Sequence, residues 1–205
     1  MSKFDYDQMD SIHFDVLKEV GNIGSGNAAT ALAQLIQDKI NMEQPQAELV
    51  QIENISSIVG GAETIVTAIL ITLEGDIDGM MMFMLDDTSA SHLSNILLKD
   101  IDEEIIKKEN LDESAIKESG NIIAGAYLRA LSKLLNITIE PSIPYLSVDM
   151  AGAILSVPAI EFGKLGDDAL IIETKFWKDE YDVSGYFILI PTLNSYEIIM
   201  NSLGL

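Results

Sequence analysis

A carboxylate and a carboxamide three residues apart, Glu19 and Asn22, recur 99 residues later as Glu118 and Asn121. On a helix that spacing puts both side chains on one face. An asparagine amide is no base, but its carbonyl accepts a proton from water and its NH2 donates, so it can hold a water in a fixed orientation. Orientation suffices only for a bond that is already labile and whose leaving group needs no protonation. An aspartyl phosphate is such a mixed anhydride, and phosphoryl transfer draws much of its catalysis from positioning the attacking water in line. The glutamate would then act as an anchor for a lysine on the phosphoprotein. Other chemistries lack their residues. His13 and His92 stand in unrelated contexts and there is no cysteine, so neither a serine triad, a zinc site nor a thiolate nucleophile is supported.

Each pair sits in a longer pattern. The first reads Asp15-x3-Glu19-x2-Asn22, then 22 residues, then Pro45; the second reads Ser114-x3-Glu118-x2-Asn121, then 22 residues, then Pro144. Aligned without gaps, residues 15–45 and 114–144 are identical at 11 of 31 positions. On a helical wheel Asp15, Glu19, Asn22 and Gly26 form a narrow stripe opposite Leu17, Val20, Gly24, Ala28, Ala31 and Leu35. The second copy sets Ser114, Glu118, Asn121 and Gly125 against Ile116, Ile123, Tyr127, Ala130 and Leu134. One such stripe alone would be read as a solvated helix face. Two copies at one spacing argue otherwise, because asparagine is a mediocre helix former and glycine costs ~1 kcal/mol against alanine inside a helix. A small residue on an exposed stripe suits the close approach of another molecule.

The elements that must carry these stripes follow from periodicity. Helices are expected over about 10–38 and 111–136, each followed by a strand, at 48–53 and 146–150. Apolar runs predict hairpins over 64–85, turning at Gly75-Asp76, and over 169–190. Asp87 is placed to cap a helix reaching about Leu98, a last helix starts at Asn194, and 151–162 is a further apolar segment. Matching Gly79 to Gly185 and Asn95 to Asn201 moves the offset from 99 to 106, so the second copy carries about seven extra residues before its final hairpin. A repeated helix–strand–hairpin–helix unit with short connections predicts an α+β fold. It is expected to be a pseudo-two-fold, continuous and mainly antiparallel sheet with helices packed against it. A single domain is expected, made of repeats at about 10–98 and 111–205, joined by the charged linker 99–110.

The runs LKEVGNIGSGNAATAL and IKESGNIIAGAYLRALSKLL, with the spacing [D/S]-x3-E-x2-N-x22-P and the segment PSIPYLSVDM, resemble the CheC family of chemotaxis phosphatases, which includes CheX and FliY. The resemblance implies hydrolysis of the aspartyl phosphate of a CheY-type response regulator. It makes Asn22 and Asn121 the water-orienting amides and Glu19 and Glu118 the contacts to the regulator's lysine. Asp15, Gly26, Ser114 and Gly125 would belong to the docking surface, while Pro45 and Pro144 read as structural entries to the next strand. The essential Mg2+ would belong to the regulator, this chain binding no cofactor or metal of its own. FliY-like members carry an added C-terminal switch domain, for which the chain to Leu205 leaves no room, and CheX-like members carry one motif; the CheC type is therefore expected. It further implies a CheD-type receptor deamidase as partner, near Val148-Asp149-Met150; a buried, satisfied Asp149 is the alternative reading of that segment. A non-catalytic adapter for the regulator or deamidase, or a flagellar-switch component, would use the same stripes without hydrolysis.

Composition narrows the partners. The 205 residues carry 33 acidic and 12 basic side chains, a net charge of -21, and are 48% apolar. Such a surface repels nucleic acid and anionic lipid and favours partners that offer positive charge. The acidic N-terminus and the lack of a long apolar run predict a soluble chain, and the absence of cysteine suits the cytoplasm. Gly21-Asn22-Ile23-Gly24-Ser25-Gly26 lacks both a preceding strand and a P-loop lysine, which argues against a nucleotide site. Among Met80, Met81, Met82 and Met84, alternate members are expected in the core, leaving the others free for a surface role.

Overall fold

The runs IVTAILITL and MMMFML are apolar without alternation, and a strand apolar on both sides has to be covered on both sides. The computed structural model, which describes residues 11–43, 46–99, 101–102, 104–106, 111–162, 168–178 and 180–202, does so with three layers. In chain order the elements are α1 (Ser11–Leu35), β1 (Asn41–Met42), β2 (Gln46–Gln51), α2 (Ile55–Ile58), β3 (Ile65–Gly75), β4 (Gly79–Asp86) and α3 (Asp87–Leu98). The second repeat supplies α4 (Leu111–Leu135), β5 (Ile139–Pro141), β6 (Tyr145–Met150), α5 (Ala151–Phe162), β7 (Asp168–Lys178), β8 (Tyr181–Pro191) and α6 (Leu193–Ser202). On one sheet face α1, α3, α4 and α6 bury Leu32, Leu93, Tyr127 and Ile199 against Met81, Phe83 and Leu85. On the other, α2 with the Val59 that follows it and α5 bury Ile55, Val59, Ile154 and Leu155 against Met80, Met82 and Met84. All four methionines are therefore core residues, and none remains for a binding surface. No helix among the described residues is long and apolar enough to cross a membrane.

The sheet has eight strands in the order β1-β7-β8-β4-β3-β5, with β2 also on β7 and β6 also on β3, every pair antiparallel. The central ladder joins β4 to β8, and Met82 lies opposite Ile188, its counterpart at the 106-residue offset. Outward from that axis the repeats exchange strands. β2 of the first repeat pairs with β7 of the second, and β6 of the second with β3 of the first. The extra length of the second repeat is visible between its first strand and its hairpin, where twelve-residue α5 stands in place of four-residue α2.

Two local expectations are corrected by tertiary contacts. The β3–β4 turn is longer than Gly75-Asp76: the last rung is Leu73 with Gly79, and Glu74 and Gly75 pair instead with Glu140 and Ile139 of β5. Asp76 is tied down by Thr138, whose N–H donates to the carboxylate at 2.7 Å and whose carbonyl accepts from the Asp76 N–H at 3.0 Å. Gly75 has φ of 115°, and a Cβ there would stand 2.7 Å from the Thr138 carbonyl oxygen, so glycine is required. The α3 cap is Asp86, not Asp87; its carboxylate accepts from the Ser89 N–H at 2.6 Å.

One core group stands out energetically. The Tyr127 ring is fully buried and stacks on Phe187 at 5.8 Å, which stacks on Phe83 at 4.5 Å. Its hydroxyl has no hydrogen-bond partner among the described residues, and burial pushes its pKa up. A buried hydroxyl left unpaired costs about 1–3 kcal/mol. Tyr127→Phe is therefore expected to raise the urea midpoint, corresponding to about 1 kcal/mol of added stability; a lower midpoint would show that the hydroxyl has a partner.

Candidate functional site

The stripes lie on α1 and α4, which pack against each other on the four-helix face of the sheet. Along α4 the rotation is set by the residues between the polar pair. Ser119 and Gly120 are buried, the serine hydroxyl donating to the Ile116 carbonyl at 2.8 Å. A Cβ on Gly120 would stand 2.0 Å from the Ile69 Cδ1 of β3, so the absent side chain lets the helix settle onto the sheet. With Gly120 facing inward, Glu118 and Asn121 face outward and are exposed, with Ser114 exposed on the same stripe. On α1, Glu19 and Gly26 are exposed and Asn22 is half-buried. Among the described residues no hydrogen bond or ion pair engages the side chains of Glu19, Asn22, Glu118 or Asn121.

The glycines differ in what surrounds them. A Cβ on Gly26 would meet nothing within 4 Å, which fits a surface kept open. At Gly125 the space is already taken: the Arg129 Nη1 stands 3.1 Å from the Cβ position. Gly24 has a third role, since a Cβ there would lie 2.3 Å from the Tyr127 ring. The α4 ring packs directly onto the α1 backbone there. Gly24 lies on the buried side of α1, where the helical wheel places it. Gly120 and Arg129 are the residues that the motif pattern does not single out; the identity of Gly21 and Gly120 across the repeats is the signal for the first of them.

The apolar side of α4 also differs from the wheel. Its buried apolar side chains run Ile116, Ile123, Ala124, Ala126, Tyr127, Leu128, Leu131 and Leu135. Leu134, expected in the core, is 41% exposed and lines a groove of about 640 Å³ between α1 and α4. Equivalent positions of the two repeats form its walls: Asn27, Thr30, Ala31 and Gln34 face Ala126, Arg129, Ala130 and Lys133. Pairs 99 residues apart lining one groove place it across the pseudo-two-fold axis.

Asp149 lies elsewhere, on β6, an edge strand that pairs with β3 alone among the described residues. It is exposed and accepts from the Met150 N–H at 2.7 Å, which rules out the buried alternative. Tyr145, Val148 and Met150 beside it are 68%, 58% and 45% exposed. Pro144 is buried. Pro45 and the side chain of Asp15 lie outside the described residues. Among the described residues no group of three or more histidine or acidic side chains is gathered closely enough to hold a metal ion.

With this geometry in hand, known proteins are informative. The CheC-like family model matches residues 12–49 and 111–148. The CheY-P phosphatase CheC of Bacillus subtilis (strain 168) is 35% identical over 194 residues, spanning 93% of this chain and 93% of that protein. The chain belongs to the CheC-like family. The two matched segments run through α1 to β2 and through α4 to β6, and thus contain both stripes. Solved structures share the architecture. FliY of Thermotoga maritima superposes with a TM-score of 0.70 at 20% identity, over 95% of this chain and 99% of that one. A chemotaxis protein CheX from Desulfovibrio desulfuricans gives 0.50 at 16% identity, over 83% and 99%. These likenesses establish the fold alone.

Proposed function

We propose that this CheC-like chain hydrolyses the aspartyl phosphate of a CheY-type response regulator at two sites, Glu19/Asn22 on α1 and Glu118/Asn121 on α4. The observation that carries the reading is the pair of amides, Asn121 exposed and Asn22 half-buried, each unengaged among the described residues and one helical turn from a carboxylate equally unengaged. The similarity to a protein named CheY-P phosphatase supplies the substrate class. In each site the carboxamide accepts a hydrogen bond from the attacking water and donates another, holding its lone pair toward phosphorus. As the O–P bond forms, the acyl O–P bond breaks and the aspartyl carboxylate leaves without needing a proton; the water's proton passes to phosphate or solvent. The glutamate holds the regulator's lysine, fixing the partner's register. Mg2+ resides on the regulator, and the reaction takes place in the cytoplasm.

The same chain also docks a CheD-type deamidase through β6, where Asp149 sits among exposed apolar side chains on an open strand edge, a surface suited to strand addition. The deciding experiment mixes the chain with a phosphorylated receiver domain and Mg2+ and follows loss of label. Decay faster than the receiver's own supports hydrolysis. Decay at the receiver's own rate, with a complex still forming, would overturn it in favour of an adapter.

A further inference from the structure

The two stripes are not electrostatically equal. On the helical wheel Arg129 continues the α4 stripe: Glu118, Asn121, Gly125 and Arg129 fall at i, i+3, i+7 and i+11, within a narrow arc. The strip runs roughly 16 Å along the helix at ~1.5 Å per residue. Its guanidinium lies against Gly125, with Nη1 3.1 Å from the Cβ position, one turn beyond Asn121. Lys133 follows one turn later and lines the same groove. The matching residues of α1 are Thr30 and Gln34, both neutral. Arg129 is the sole arginine of a chain with net charge -21. Among the described residues neither it nor Lys133 has a carboxylate partner. A cation pair beside a groove, without a carboxylate partner among the described residues, attracts an anionic group.

We infer that Arg129 and Lys133 make the α4 site the tighter of the two, by holding the anionic, phosphoryl-bearing face of the partner whose lysine Glu118 receives. This rests on the proposed phosphatase reading and adds a polarity to it. The α4 strip offers a carboxylate at one end, an amide in the middle and a cation at the other, so a partner of matching charge order docks in one direction. The α1 strip lacks the cationic end. Arg129 is a positioning residue: it acts on docking, not on the water.

The test uses two full-length backgrounds, Asn22→Ala, which leaves the α4 site, and Asn121→Ala, which leaves the α1 site. Into each go Arg129→Thr and Lys133→Gln, the α1 residues. In the first background KM for the phosphorylated receiver is expected to rise about fivefold, with kcat held and the salt dependence of kcat/KM flattened, as for loss of two exposed ion pairs. In the second background nothing should change. The reciprocal Thr30→Arg, Gln34→Lys should lower KM at the α1 site. Equal effects in both backgrounds, or none in the first, overturn the inference. Should neither background hydrolyse the receiver, the phosphatase reading fails instead. Titration with a beryllofluoride-loaded receiver then still decides docking: affinity lowered by the α4 substitutions supports the inference, and unchanged affinity overturns it.

Discussion

Replacing Asn22 and Asn121 together by alanine is expected to slow dephosphorylation by about 100-fold or more while leaving complex formation intact. The size follows from what is removed: a pre-oriented donor and acceptor at the attacking water typically accounts for two to three powers of ten in rate. The fold should not suffer. Asn121 is exposed, Asn22 half-buried, and neither side chain is bonded within the described protein. Alanine is also the better helix former. Unfolding curves of the double variant should therefore match the parent within about 0.5 kcal/mol. Single-turnover decay of labelled receiver, run beside a binding titration, checks both halves of the claim. A double variant as fast as the parent would remove the amides from the mechanism.

The second large effect is structural, and it separates two glycines of one short segment. Gly24→Val is expected to cost about 3 kcal/mol, because the Cβ would stand 2.3 Å from the fully buried ring of Tyr127. That ring is stacked on Phe187 and cannot swing aside, so α1 has to lift from α4. Two residues along, Gly26→Ala meets open space and should stabilise the helix by ~1 kcal/mol. The same substitution is expected to weaken receiver binding, since the methyl stands where a partner must come close. Urea midpoints and receiver affinities for the pair make the comparison. If Gly26→Ala leaves affinity unchanged, the close-approach role of the stripe fails, and an unshifted midpoint for Gly24→Val would remove the helix contact.

Much of this was legible in the chain because the repeat prints each element twice. Both long helices, the two hairpins and the terminal helix announce themselves through apolar period, and the polar stripes through their recurrence. What stayed hidden depends on partners distant in sequence. β1 and β5 hold two and three residues and exist only because β7 and β3 offer them an edge. The turn after Gly75 reads as a tight hairpin until Thr138 arrives to bind Asp76. Met80, Met82 and Met84 look half-exposed if the sheet has a single covered face; α2 and α5 supply the other cover. Leu134 looks like core on a wheel, which cannot show that α4 turns that side toward a groove on the symmetry axis. Within the stripes, the outward pair was readable, whereas the cation at Arg129 has no counterpart in the first copy for the repeat to flag.

The swapped outer strands bear on ancestry and on dissection alike. Because β2 lies on the second hairpin and β6 on the first, neither repeat owns a complete half of the sheet. A single unit by itself would have to work as a homodimer whose subunits clasp by trading an arm, and the joined chain holds that handshake within one molecule. Joined in one chain, the two moieties can differ in charge while still sharing a core, so one stripe can be altered without disturbing the other.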